Sequence, residues 1–284
     1  MNTVIDLSVV AVNLCRERGY TYVRELGKGS FKSAYLVESP NGLVALKLAI
    51  VEGLTDRLAR EISALQTCTH PSIAKLLETF SYQSDQTSIW VVIEECLAAG
   101  TLEQRLKVAK MTCEEVRHIG ICLAEVLGHL HERRLVHRDI KPANILFREG
   151  SDIPVLTDFG VVRMLDQPTL TRAFMGMGPG TPAYAAPEQL NNEKVQIDWR
   201  TDQFGLAVVL SECLIGRHPF LSDGESLYDA IIAVASRKVL PASTNNELLR
   251  LGFGCLIPAL QSWPVSRYRK PNEFIEALKK PGGV

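Results

Sequence analysis

The stretch Leu135 to Phe147 reads LVHRDIKPANILF, and Asp158-Phe159-Gly160 follows shortly after it. Four side chains here have the types that phosphoryl transfer needs. Asp139 can accept a hydroxyl proton, Asn144 and Asp158 offer hard oxygens suited to Mg²⁺, and Lys141 offers a fixed positive charge beside a transferring phosphoryl group. That chemistry is mostly positioning and charge neutralisation, so carboxylate, amide and ammonium recur where a nucleophile is not required. Taken singly, an Asp or Asn of this kind is an ordinary turn or capping residue.

Apolar runs grip both ends of this polar centre, which places it on short strands and a tight turn. Upstream, Tyr20 to Leu26, Ser33 to Glu38 and Leu43 to Leu48 read as a three-stranded antiparallel meander, with Pro40-Asn41-Gly42 as its second turn. Lys75 to Phe80 and Ile89 to Glu94 extend it to a five-stranded sheet. The first turn, Gly27-Lys28-Gly29-Ser30-Phe31-Lys32-Ser33-Ala34, lets backbone N–H donors approach a polyphosphate, and the third strand carries Lys47 beneath it. Alone, the glycine pair is a plain hairpin turn.

Helical spacing appears at Leu58, Ile62 and Leu65, and again from Cys113 to Arg134, where Val116, Ile119, Leu123, Val126, Leu127 and Leu130 form a stripe. Thr101 is an N-cap candidate for a helix opening Leu102-Glu103-Gln104. A strongly apolar helix runs from Asp202 to Ile215, while 161–187 lacks periodicity and holds Gly176, Gly178 and Gly180. Residues 1–19 form an extension that fits a short helix or an added strand equally well.

A formal net charge of −1 supplies no global field for nucleic acid or an anionic membrane. Seven cysteines without a CxxC pair argue against a disulfide framework or a zinc ribbon and suit a reducing cytosol. No apolar run reaches the roughly 20 residues of a membrane helix, and the start lacks the pattern of a signal peptide, so a cytoplasmic location is expected, with no nucleic-acid partner and no membrane segment in this chain.

HRDIKPAN followed by DFG resembles the catalytic and metal loops of the eukaryotic-type Ser/Thr protein kinases. The resemblance implies an α+β, bilobal protein kinase fold: a small five-stranded antiparallel sheet plus helix in one lobe, and a larger, mainly helical lobe. It implies boundaries at 1–19 for the extension and 20–284 for the kinase domain, divided into 20–93, a hinge at 94–100, and 101–284. ATP and Mg²⁺ are the implied cofactors. Asp139, Lys141, Thr181, Lys47 and Glu61 take the catalytic roles, Glu61 by pairing with Lys47. Asn144 and Asp158 hold the metal. Gly27, Gly29, Ala34, Ala45, Lys47, Glu94, Cys96 and Leu146 line the nucleotide, with Glu94-Glu95-Cys96 as the hinge and Ile93 as gatekeeper.

Where the family's glycine-rich turn has a third glycine, this chain has Lys32, which is similar to the with-no-lysine kinases. Lys47 is the expected phosphate contact, and Lys32 is a helper or a solvent-facing residue. By the same resemblance Asp202 grips the HRD backbone, Glu188 of the APE turn pairs with Arg267, and Arg138 binds a phosphate on Thr169 or Thr171 after self-phosphorylation. Protein Ser/Thr hydroxyls are the implied acceptors. A kinase-fold scaffold without catalysis and a small-molecule phosphotransferase are the alternatives.

Overall fold

The computed structural model describes residues 5–28, 32–51, 66–84, 87–158 and 182–280. They divide into two compact units. The first comprises essentially the residues up to Thr69 and Ala74–Ala98, and the second comprises His70–Ile73 and the chain from Ala99 onward.

The first unit is built on a five-stranded antiparallel sheet: β1 (Thr21–Lys28), β2 (Lys32–Ser39), β3 (Gly42–Val51), β4 (Leu76–Ser84) and β5 (Thr87–Glu95), in the order β1-β2-β3-β5-β4. Alternation along β3 divides its two faces. Val44, Leu46 and Leu48 join Tyr35, Val37, Ile89, Val91 and Ile93 on one buried face. Ala45, Lys47 and Ala49 lie on the other.

The extension is helical, and it covers the apolar face. Helix α1 (Leu7–Arg18) is capped by Asp6, whose carboxylate accepts a hydrogen bond from Ser8 N at 3.0 Å. Leu7, Val10, Ala11, Leu14 and Cys15, spaced as one helical stripe, pack into the core of the sheet. Arg18 reinforces the seat, bonding Glu78 at 2.6 Å and stacking over the Phe80 ring at 3.9 Å.

The second unit is mainly helical among its described residues. Helix α2 (Leu102–Val108) starts at a capping box between Thr101 and Gln104, and α3 (Cys113–Glu132) at one between Thr112 and Glu115. The helix α3 stops two residues before the expected Arg134, which takes a left-handed backbone with φ 57°. A two-stranded ribbon follows, β6 (Ile145–Phe147) with β7 (Pro154–Leu156). Short α4 (Pro187–Leu190) leads to α5 (Trp199–Ile215), and α6 (Leu227–Ala235), α7 (Ala242–Arg250), α8 (Leu256–Ala259) and α9 (Pro271–Lys279) complete the unit.

Helix α5 begins three residues before the expected Asp202, because Asp198 caps it by accepting from Arg200 N at 2.8 Å. It is buried nearly all round, which explains why its sequence is apolar without a stripe. Two glycines let the chain crowd it. A Cβ on Gly120 of α3 would sit 3.0 Å from Leu210 Cδ1, and one on Gly205 would sit 3.3 Å from the Tyr184 carbonyl.

Candidate active site

In the second unit the polar centre sits between the end of α3 and β6, as the apolar flanks required. Lys141 Nζ and Asn144 Nδ2 each donate to Asp139 Oδ2 at 3.0 Å, and the same amide nitrogen donates to the Asp139 carbonyl at 2.8 Å. Two donors on one oxygen hold the carboxylate in one rotation and stabilise its charge. Its side chain is 8% exposed, whereas Lys141 remains 31% exposed and so keeps access to solvent and ligands. Pro142 opens the single 3₁₀ turn that returns the chain from Lys141 to Asn144.

The loop backbone is held from below. Asp202 of α5, wholly buried, accepts from His137 N at 2.6 Å and Arg138 N at 2.7 Å, one bond to each carboxylate oxygen. Arg138 has φ 65°, a conformation unfavourable for a side-chain-bearing residue, and the Asp202 grip maintains it. Burial pushes the Asp202 carboxyl up to about 7, against the two backbone donors that favour its anion. Gln189 of α4 donates to the Arg138 carbonyl at 2.9 Å, so both backbone polar groups of Arg138 are taken.

His137 is a structural residue. It is 2% exposed; its Nε2 lies 3.1 Å from the Thr157 carbonyl, which makes that nitrogen the donor and leaves Nδ1 to accept from Asp139 N at 3.3 Å. The ribbon carries Leu146 half-buried, with Thr101 bridging it on one side and Val155 on the other. Asp158 ends the described stretch with φ 63°.

The residues fit a hard divalent cation. Asn144 spends its amide nitrogen on Asp139, which identifies Oδ1 as the oxygen turned away from that network, and among the described residues Oδ1 has no hydrogen bond. Asp158, a half-buried carboxylate, is of the same hard-oxygen donor type.

In the first unit, cross-strand register aligns Gly27 with Ala34, and Ala34 with Lys47. Small side chains therefore flank the lysine. Lys47 Nζ bonds Glu94 Oε2 at 2.6 Å; the ammonium-bearing side chain is 22% exposed and the glutamate 9%. This revises the expected hinge. Glu94 pairs with Ala45 across the ladder and shares its face, so its side chain belongs with Lys47. Ile93, expected as gatekeeper, is opposite Leu46 and packs on the α1 side of the sheet. Lys32 lies two residues from Ala34 and so shares the Lys47 face. Cys96, half-buried past the end of β5, has its thiol pushed up by burial.

The APE turn is fastened below the loop. Arg267 donates to both oxygens of Glu188, at 2.7 and 3.0 Å, with both side chains 0% exposed. Thr201 Oγ1 adds a third bond to Glu188 at 2.8 Å. Sequence reasoning anticipated that pair but missed two others. Tyr184 donates to Glu212 at 2.6 Å, and His218 Nε2 donates to the Ala183 carbonyl at 2.8 Å while Nδ1 accepts from Phe220 N at 3.2 Å. Burial lowers the His218 imidazole to about 4, keeping it neutral. Glu61, Gly29, Thr169, Thr171, Thr181, Phe159 and Gly160 lie outside the described residues.

Comparison with known proteins agrees with this arrangement. The protein kinase domain family matches residues 20–252. The serine/threonine-protein kinase PknF of Mycobacterium tuberculosis is 31% identical over 276 residues, covering 92% of this chain and 56% of the relative. A probable serine/threonine-protein kinase of Clostridium perfringens, CPE1738, is 28% identical over 92% of the chain and 38% of its own length. The serine/threonine-protein kinase hippo of Drosophila melanogaster is 33% identical over 72% of the chain and 30% of its own length. The chain thus spans about half, or less, of the curated relatives it matches. The similarity extends over the five-stranded sheet, the Asp139 loop and the buried Glu188, and on that basis the chain belongs to the protein kinase domain family.

Proposed function

We propose that the chain is a serine/threonine protein kinase that transfers the γ-phosphoryl group of Mg-ATP to protein Ser or Thr hydroxyls. The observation that supports this most is the convergence of Lys141 and Asn144 on one oxygen of Asp139, over a backbone gripped by Asp202. When bound, Mg-ATP supplies the phosphoryl group and much of the neutralising charge, with Asn144 and Asp158 as the residues that would hold the cation.

Asp139 orients the acceptor hydroxyl and takes its proton as the bond to phosphorus forms, a role that suits a carboxylate fixed in one rotation. Lys141 offsets negative charge on the side of the acceptor, and Lys47 does so on the side of the nucleotide phosphates. Gly27, Gly29, Ala34, Ala45, Glu94, Cys96 and Leu146 serve the nucleotide, Glu61 pairs with Lys47, and Thr181 bonds near Asp139. Arg138 orders the activation segment through a phosphate on Thr169 or Thr171 placed there by self-phosphorylation. The kinase domain occupies 20–284, with its hinge beginning after Glu94, and acts in the cytoplasm. Among the described residues no helix is long and apolar enough to cross a membrane.

The test is incubation of the chain with Mg²⁺ and γ-labelled ATP, beside Lys47→Met and Asp158→Ala, followed by mass spectrometry of the products. Label on Ser or Thr that disappears in both variants is the expected result. Nucleotide binding without transfer would overturn the enzyme reading in favour of a silent kinase-fold scaffold.

A further inference from the structure

The side chain of Glu94 has no part in the roles assigned above, since a hinge residue serves a nucleotide through its backbone. Its environment says otherwise. Glu94 lies directly opposite Ala45 in the β3–β5 ladder, while Lys47 is opposite Val92, so the Lys47–Glu94 contact is a diagonal one across two rows. A methyl group at Ala45 leaves the room that lets the carboxylate lean toward the lysine, and the contact closes at 2.6 Å. Exposure is asymmetric across the pair. The carboxylate is nearly buried at 9%, and the ammonium keeps 22% of its surface open beside Ala34 and Gly27.

We propose that Glu94 is a positioning residue for Lys47, a carboxylate carried on the sheet itself that orients the ammonium for nucleotide phosphate in addition to any help from Glu61. The proposal rests on the kinase reading for its ligand, but the geometry of the pair stands without it. Glu94 is tied to Lys47 through adjacent hydrogen-bonded strands. The sheet itself therefore supplies one partner that orients Lys47.

Two measurements on wild type, Glu94→Gln and Glu94→Asp test this separately. The first is trace acylation of Lys47 without nucleotide, read by mass spectrometry. Loss of the carboxylate destabilises the ammonium relative to the free amine, so Glu94→Gln is expected to speed acylation about tenfold, with Glu94→Asp between it and wild type. The second is steady-state phosphoryl transfer. Glu94→Gln is expected to raise KM for Mg-ATP about tenfold with a smaller effect on kcat, and Glu94→Asp to recover part of it. A purely structural glutamate would lower the melting temperature and the active fraction but leave KM unchanged. Unchanged acylation in Glu94→Gln would overturn the proposal, as would an unchanged or lowered KM. Should wild type transfer no phosphate, the kinase reading fails, and the acylation result still decides whether Glu94 orients Lys47. If Glu94→Gln does not fold, Glu94→Asp carries both readouts, expected as a smaller rise in each and overturned by none.

Discussion

At the scale of single residues, the Asp139 loop is a set of charges whose positions are held by neutral or buried partners. Asp139→Asn keeps the shape and removes the proton acceptor, so kcat is expected to fall by about 10²- to 10⁴-fold with little change in KM for ATP, checked by steady-state kinetics beside a melting curve. Asp139, Asn144, Lys141 and Asp158 were picked out in the sequence because their types suit phosphoryl transfer and HRDIKPAN followed by DFG resembles the kinase loops. Glu94 was not. Which face a strand residue occupies depends on register, and a slip of one position exchanges the two faces. The sequence reading made Ile93 the gatekeeper, whereas the ladder puts Ile93 opposite Leu46 and Glu94 on the Lys47 face. Gln189 was missed for another reason: it acts on the Arg138 carbonyl, and no residue type signals a backbone partner 51 positions away.

At the scale of elements, two buried polar fastenings carry testable energies. Glu188→Ala strands the Arg267 guanidinium with both side chains inaccessible, so a loss of about 3–5 kcal/mol in unfolding free energy is expected from urea titration. His218 ties the turn at Ala183 to the segment after α5 as a neutral donor and acceptor. Its imidazole is lowered from 6.5 to about 4 by burial, so the unfolded chain takes up a proton that the folded chain refuses between those values. The stability it contributes is complete above about pH 6.5 and is lost as pH falls toward 4, by about 3 kcal/mol in total. Asp202, raised to about 7, works in the opposite sense: its contribution is present below 3.8 and lost as pH rises through 7. Comparing urea midpoints of wild type and His218→Gln from pH 7 to 4 isolates the histidine, since Asp202 is common to both; a flatter profile is expected in the variant.

Strand and helix positions were largely readable, because period and turn chemistry agree along most of the chain. The exception is instructive. In α1 the buried stripe at 7, 10, 11, 14 and 15 is helical, yet Val9 on the outer side is 55% exposed and Val12 is half-buried, so apolar residues blur both periods. What decides the element is the sheet face it covers, which no local pattern contains.

At the scale of the whole molecule, each unit has its own core, and the first depends on α1 for closure of its apolar face. Leu14→Ala, at 3% exposure in wild type, is expected to cost about 2–5 kcal/mol and to speed amide exchange in β2, β3 and β5 more than in α3 or α5, read by hydrogen-exchange mass spectrometry. In the second unit the Asp202 grip has a consequence for the order of assembly. The left-handed Arg138 and the donors around Asp139 are local in sequence, but the carboxylate that holds their backbone arrives from 64 and 65 residues downstream. Closing so long a loop is slow relative to winding a helix. The chain therefore forms its helices before it forms its chemistry, and a nascent chain that has not yet released α5 carries every residue of the HRD loop without a competent site.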